Sequence, residues 1–326
     1  MKIFRALEEV PADFGPTIVS VGNFDGIHCG HQHVLQEMVR RARETGAKAV
    51  VVTFEPHPFR ILRPDVIPRL ITPLPIKERL LAQTGLDALL ETPFTRDFSM
   101  TSAEDFARNV LAGKLHAKEV HEGDNFHFGH KAQGTSASLK ELGRQFGFNV
   151  RVYPVMMVRG IPVSSSQVRA LLTAGRVHLA QRLLGRIFSI TGAPGRGRGY
   201  GHKYTVPTIN LSRYDDLVPG NGVYLTCTRV DNETFNSVTN VGLRPTFGDE
   251  SFAIETHLLN FHPLDVTAQT EVEISFLRWQ RPEIKFPSID ALKEQIGKDV
   301  RRAQRYFALL DSFATPKRSS LQSPER

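Results

Sequence analysis

Near Gly185 the hydrophobic pattern of this chain changes period, and its 326 residues exceed what one core usually sustains. Before that point strand-length and helix-length runs alternate. TIVSVG (17–22) is a short apolar strand. Val34, Leu35, Met38 and Ala42 then recur at helical spacing until Gly46, and KAVVVTF (48–54) is a buried strand. Strand, helix and strand of these lengths form a parallel unit with a right-handed crossover. IKERLLAQTG and DFARNVLAGKL continue as helices, the second opened by Thr101 and Glu104 as a capping box. LDALLETPF, AKEVHEGD and NVRVYPVMMV continue as strands. The expected fold is a doubly wound, Rossmann-like α/β domain over residues 1–184.

After the helical run RVHLAQRLL, long helices stop. RIFSITG, TVPTINL, GVYLTCTRV, TFNSVTNVG, AIETHLLNF and TEVEISFL are short runs rich in Thr, Val, Ile and Phe, separated by Pro, Gly, Asn and Asp. That is the pattern of an antiparallel sandwich or small barrel. A last helix is expected over residues 288–310, with Ile289, Leu292, Ile296, Val300, Ala303, Phe307 and Leu310 as its apolar stripe. The second domain is placed at 185–312, and the polar stretch 313–326 reads as a disordered tail.

Two cysteines, Cys29 and Cys227, rule out a disulfide framework and provide no CxxC pair for zinc. Residues 1–15 carry acidic residues and a proline where a leader peptide needs an apolar run, and no stretch reaches the ~20 apolar residues of a membrane helix. The expected location is the cytoplasm. A formal charge of +7 suits an anionic partner: nucleic acid, a membrane surface or a phosphorylated metabolite.

The residues that narrow this choice are GNFDGIHCGH (22–31). They lie where the first strand becomes a helix, at the carboxyl edge where open α/β sheets bind ligands. Gly22, Gly26 and Gly30 allow close backbone approach, and the helix start offers free N–H groups to a phosphate. His28 and His31 flank that start and can stabilise charge building on a phosphorus centre. The segment is neither GxxxxGK[ST] nor GxGxxG. A second stretch, VSSSQVR (163–169), puts Ser164, Ser165 and Ser166 at a helix start with Arg169 one turn in. That is either ordinary N-capping or a second phosphate cradle.

With these residues in hand, the chain resembles the bacterial bifunctional riboflavin kinase/FMN adenylyltransferase family. Gly22-Asn-Phe24-Asp-Gly-x-His28-x-Gly30-His31 resembles its nucleotidyltransferase signature, and VSSSQVR its Ser-Ser-x-x-x-Arg segment. FEPHP (54–58) with His57 and LRPDVIPRLIT (62–72) with Asp65 resemble its flavin-side loops, and GDNFHFG (123–129) with Asn125 its glycine-aromatic loop. PTIN (207–210) resembles its Pro-Thr-x-Asn motif, and AIETHLLNF (253–261) the segment with its catalytic base. The resemblance implies a Rossmann-like nucleotidyltransferase domain followed by a six-stranded antiparallel β-barrel riboflavin kinase domain with a terminal helix. It implies ATP-dependent conversion of riboflavin to FMN, then of FMN to FAD, with Mg²⁺ as cofactor and ATP as co-substrate. His28, His31, Arg169 and Glu255 are implied as catalytic. Gly22, Phe24, Gly30, Ser164, Ser165, Gly197 and Gly201 are implied at ATP; His57, Asp65 and Asn125 at flavin; Thr208 and Asn210 at the metal.

Two departures stand in the kinase glycine loop, where His202 and Thr205 replace the family's basic residue and last glycine. Thr205 resists positive φ, which predicts a weakened kinase. RGRG (196–199), read alone, also suits an RNA-binding element or a linker. The barrel strands carry no aromatic pattern interleaved with basic residues, so nucleic acid is not the expected partner. Riboflavin, FMN and ATP are, and a weak homo-oligomer stays open.

Overall fold

The computed structural model describes residues 1–65, 69–195, 208–246, 249–264 and 266–314. The chain divides into two compact units, Met1–Leu171 with Leu179–Arg186, and Leu172–His178 with Ile187–Arg326.

The first unit runs β1 (Lys2–Phe4), β2 (Thr17–Val21), α1 (Cys29–Thr45), β3 (Lys48–Glu55), α2 (Pro58–Leu62), α3 (Leu74–Ala82) and β4 (Ala88–Pro93). Next come α4 (Ala103–Asp105), which continues as a π-helix over Phe106–Lys114, then β5 (Ala117–Gly123) and the hairpin β6 (His127–Phe128) and β7 (Gly134–Thr135). After these follow α5 (Ser136–Phe146), β8 (Asn149–Tyr153), β9 (Met157–Val158), β10 (Ile161–Pro162), α6 (Ser165–Thr173) and α7 (Val177–Leu184), the end of α6 and the start of α7 being counted with the second unit. The main sheet is parallel, in the order β1-β4-β3-β2-β5-β8. From β2 the chain winds one way through β3 and β4, then the other way through β5 and β8. The topological switch point therefore lies between β2 and β5.

Strand β2 is buried along its whole length because both faces of the sheet are covered. Ile18, Ala49, Val51 and Leu89 pack on Leu35, Met38 and Ala42 of α1. Val19, Val21, Val50, Val52, Leu90 and Val120 pack against Phe106, Leu111 and Leu139 on the other side. Leu35 and Met38 are fully enclosed, each contributing roughly 1.5–3 kcal/mol of hydrophobic stabilisation. The expected capping box at Thr101 is displaced by one residue. Ser102 is the cap, its Oγ accepting the Asp105 N–H at 2.9 Å and donating to Asp105 Oδ2 at 2.7 Å.

The second unit holds β11 (Phe188–Gly192), β12 (Thr208–Asn210), β13 (Gly222–Val230), β14 (Glu233–Thr246), β15 (Asp249–Leu258), β16 (Val272–Arg281) and α8 (Ile289–Ala314). These strands form an antiparallel sheet in the order β11-β16-β13-β14-β15-β12. Its two outer strands meet each other through a bridge between Pro194 and Leu211. There Gly195 N–H donates to Asn210 O at 2.8 Å and Ser212 N–H to Ala193 O at 2.9 Å, which rounds the sheet on itself. The inner face carries an unusual layer of hydroxyls. Thr226 Oγ1 bonds to Ser237 Oγ and Thr239 Oγ1, both at 2.7 Å, and Thr239 Oγ1 bonds to Thr256 Oγ1 at 2.8 Å. Each hydroxyl of this layer thus has a partner.

The stripe expected on the terminal helix packs only in its middle. Ala303 and Phe307, with Val300, meet Val223, Leu225 and Val238 of the sheet. Ile289, Leu292 and Leu310 remain exposed.

Candidate active site

The loop from β2 to α1 is held in a strained path. Phe24 (φ 48°), Gly26 (φ 88°) and Ile27 (φ 39°) all have positive φ, and for a β-branched residue that is costly. Polar groups from distant segments hold it. Asp25 accepts Thr72 N–H at 2.9 Å, and its other oxygen accepts Arg169 Nη2 at 2.6 Å. Thr72 Oγ1 accepts Gly26 N–H, Arg186 donates to Gly26 O at 2.8 Å, and Gln32 donates to Ile27 O at 2.7 Å.

The loop delivers His28 as the N-cap of α1. Its Nδ1 accepts the His31 N–H at 3.3 Å, which leaves Nε2 to carry the proton of the neutral ring. The His28 and His31 rings stack, centroids 3.6 Å apart and 14° from parallel, with Phe24 beside His31 at 5.1 Å. A Cβ on residue 30 would come 3.2 Å from His28 Nδ1, so Gly30 gives the ring its place. Burial pushes His28 down to about 4 and, with His28 and Lys77 adding repulsion, holds His31 well below the usual imidazole range. His31 Nδ1 is enclosed with no partner among the described residues.

The pair lines a cavity of about 1020 Å³ at the switch point. Gly22, Phe24, Gly30, Ser164, Ser165 and Asn125 also line it. Ser164 Oγ caps α6 through Gln167 N–H at 3.1 Å, and Ser165 Oγ donates to Asp25 O at 2.8 Å. One wall is aromatic: Phe54, Phe94 and Phe98 lie within 5.9 Å of one another, and Phe126 stacks on Phe128 at 5.3 Å.

Three expected residues stand apart from the cavity lining. Arg169 is held by Asp25 and the Arg69 carbonyl, because a carboxylate only 4% exposed requires a cation beside it. His57 is buried as the N-cap of α2, its Nδ1 accepting Phe59 N–H at 3.3 Å. Asp65 is exposed. Thr72, Lys77 and Arg186 were not singled out from the sequence, where each is one polar residue among many. The clue for Glu122 was a carboxylate inside the apolar strand AKEVHEGD.

His57, like His28, is pushed down to about 4 by burial. Both rings accept a backbone N–H, and protonation would turn that acceptor into a donor. Their folded pKa lies below the unfolded value near 6.5, so their stabilisation is complete above about 6.5 and is lost as pH falls toward 4. The expected loss is on the order of 3 kcal/mol for each. In urea unfolding at pH 7 and pH 4.5, His57→Asn, which keeps a capping acceptor, should lose less stability on acidification than the parent. Equal losses would contradict the assignment.

In the second unit, register brings the expected kinase residues together. Asn210 of β12 is the cross-strand partner of Glu255 on β15, whose partner on β14 is Asn240. Thr208 pairs with His257 on the same face. Ile254 and Thr256 point into the buried interior, leaving Glu255 half-buried on the other face. Asn240 Nδ2 donates to Glu283 Oε1 at 3.3 Å, and Asn210 Oδ1 is buried with no partner among the described residues. Gly197, Gly201, His202 and Thr205 lie outside the described residues.

Fold and site together define a two-domain transferase, with a nucleotidyltransferase-type parallel unit and a closed antiparallel unit. The FAD synthetase family matches residues 10–167, and the riboflavin kinase family residues 184–307. Proteins named bifunctional riboflavin kinase/FMN adenylyltransferase are similar over nearly the whole chain. The one from Buchnera aphidicola subsp. Schizaphis graminum is 33% identical over 316 residues, 95% of this chain and 100% of its own length. The one from Escherichia coli K12 is 31% identical over 311 residues, 95% and 99%. A crystal structure of a Streptococcus pneumoniae chain described as a macrolide-efflux protein matches with a TM-score of 0.84 and 26% identity, over 93% of this chain and 98% of that one. Among the described residues no helix is long and apolar enough to cross a membrane. The chain belongs to the bifunctional riboflavin kinase/FMN adenylyltransferase family and is an enzyme of flavin cofactor synthesis.

Proposed function

We propose that residues 1–184 adenylylate FMN in the cavity at the switch point, and that residues 185–312 phosphorylate riboflavin, both in the cytoplasm. The observation that carries the first assignment is the stacked His28–His31 pair at the start of α1 on the cavity wall. A phosphate oxygen of FMN attacks the α-phosphorus of ATP, and pyrophosphate leaves. The attacking group is already anionic, so the protein's task is positioning and charge stabilisation. The neutral His28 donates Nε2–H to an α-phosphate oxygen. His31, whose Nδ1 has no partner among the described residues, meets the same phosphoryl group. Ser164, Ser165 and the start of α6 receive the leaving phosphates. Arg169 acts one step back, as a positioning residue that holds the histidine loop through Asp25. The phenylalanine wall takes the isoalloxazine ring, and Asn125 the FMN phosphate.

In the second unit the half-buried Glu255 takes the proton of the ribityl 5′-hydroxyl as that oxygen attacks the γ-phosphorus of ATP, and ADP leaves. Thr208 and Asn210, whose Oδ1 has no partner among the described residues, offer hard oxygen donors that fit Mg²⁺. The ion, when bound, supplies neutralisation of phosphate charge.

The test is a chromatographic assay of purified protein with riboflavin, ATP and Mg²⁺. FMN should appear first and FAD after it. FAD from supplied FMN without phosphorylation of riboflavin would remove the kinase assignment. Neither product from folded protein would remove both.

A further inference from the structure

Glu122 is a buried carboxyl that the mechanism above leaves unused. It lies at the carboxyl end of β5, beside the switch point, is 4% exposed and lines the cavity. Strand alternation puts it on the face of Val120, the face whose core includes Val21 and Val52 and against which Phe54, Phe98 and Phe126 pack. It therefore borders the phenylalanine wall, whereas His121 on the opposite face bonds to Tyr153 and Glu119. Its Oε1 accepts Val21 N–H at 2.6 Å, and among the described residues no cation pairs with it. Burial pushes this carboxyl well above the usual range, with only the Val21 bond opposing. Burial without a partner cation favours the neutral acid, and in that form one oxygen carries a hydroxyl donor and the other keeps a spare lone pair.

We propose that Glu122 is a specificity-determining residue that reads the imide edge of the flavin ring. That edge presents an N3–H donor next to carbonyl acceptors. The carboxyl hydroxyl donates to a ring carbonyl, and the second lone pair of Oε1 accepts N3–H, so each polar atom gains a partner. A carboxyl could also pair with an adenine edge. Its place on the face of the phenylalanine cluster assigns it to the flavin. This inference rests on the FMN adenylyltransferase reading of the cavity.

The test measures KM for FMN and for ATP in FAD formation by the full chain. Replacing Glu122 with leucine should raise KM for FMN about tenfold and leave KM for ATP unchanged, as expected when a site loses a hydrogen bond it was built to make. E122Q keeps a donor and an acceptor and should restore most of the affinity. The parent enzyme should use N3-methyl-FMN with a KM about tenfold above that for FMN, and E122L should not distinguish the two. A rise in KM for ATP alone, loss of function in E122Q equal to that in E122L, or indifference of the parent to N3-methylation would each overturn the proposal. The last comparison needs no variant, so a misfolded E122L does not protect the idea. If the parent makes no FAD from FMN, the reading of the cavity fails instead.

Discussion

Replacing His28 with alanine is expected to lower FMN adenylylation by about a hundred- to a thousandfold, the usual cost of removing one preorganised donor from a transition state. Riboflavin phosphorylation should be unchanged, because Glu255, Asn210 and Thr208 belong to the other unit. His28 also caps α1 through Nδ1, so alanine removes a stabilising bond worth about 1 kcal/mol as well. His28→Asn separates the two effects. Asparagine is a good N-cap but puts no imidazole over the phosphate. It should keep the melting temperature near that of the parent while FAD formation stays low. Recovery of FAD formation in His28→Asn would mean that capping, and not the ring, is what the reaction needs. An equal fall of both activities in folded protein would end the division of labour between the two units.

The second large effect is expected at Glu255. Glu255→Gln should lower riboflavin phosphorylation by roughly a hundred- to ten-thousandfold, the range for loss of a general base, with FAD formation from supplied FMN intact. Glutamine fits the same space between Asn210 and Asn240 and adds no charge, so a folding defect is not expected. The loss should appear in kcat more than in KM for ATP, because the carboxylate acts on the acceptor hydroxyl. A near-normal rate in the glutamine variant would show that the proton leaves by another route. Asn210→Leu offers a contrast. It should raise the Mg²⁺ concentration needed for half-maximal phosphorylation if Oδ1, which has no partner among the described residues, meets the metal–phosphate group.

Much of the fold was readable because it rests on short-range spacing. Of the four apolar positions expected, Leu35, Met38 and Ala42 form the buried side of α1 while Val34 lines the cavity, and Gly46 ends the helix where expected. The change of period at Gly185 separates a parallel unit from an antiparallel one. The GNFDGIHCGH stretch places both histidines at a strand-to-helix junction, which is a local event. What spacing cannot show is a choice between helical types of similar period, and residues 106–114 took the wider π form. Capping is equally fine-grained: Thr101 and Ser102 both have a hydroxyl, and the backbone path selected Ser102.

The sequence by itself determined the two architectures, the position of the histidine pair and the polar residues grouped on PTIN and AIETHLLNF. Only the tertiary structure decided which polar groups line the cavity and which face each other. Arg169 and Asp25 are 144 positions apart, and their ion pair makes the residue expected at phosphate a support for the loop as well. Glu122 reads as one more strand residue until the fold sets it on the cavity wall. Asn210 and Glu255 become neighbours only through the register of β12 on β15. The physical reason is common to all three. Local periodicity selects the face on which a side chain stands, but a buried polar group must find its partner across the fold, and long-range packing determines whether that partner is protein or substrate.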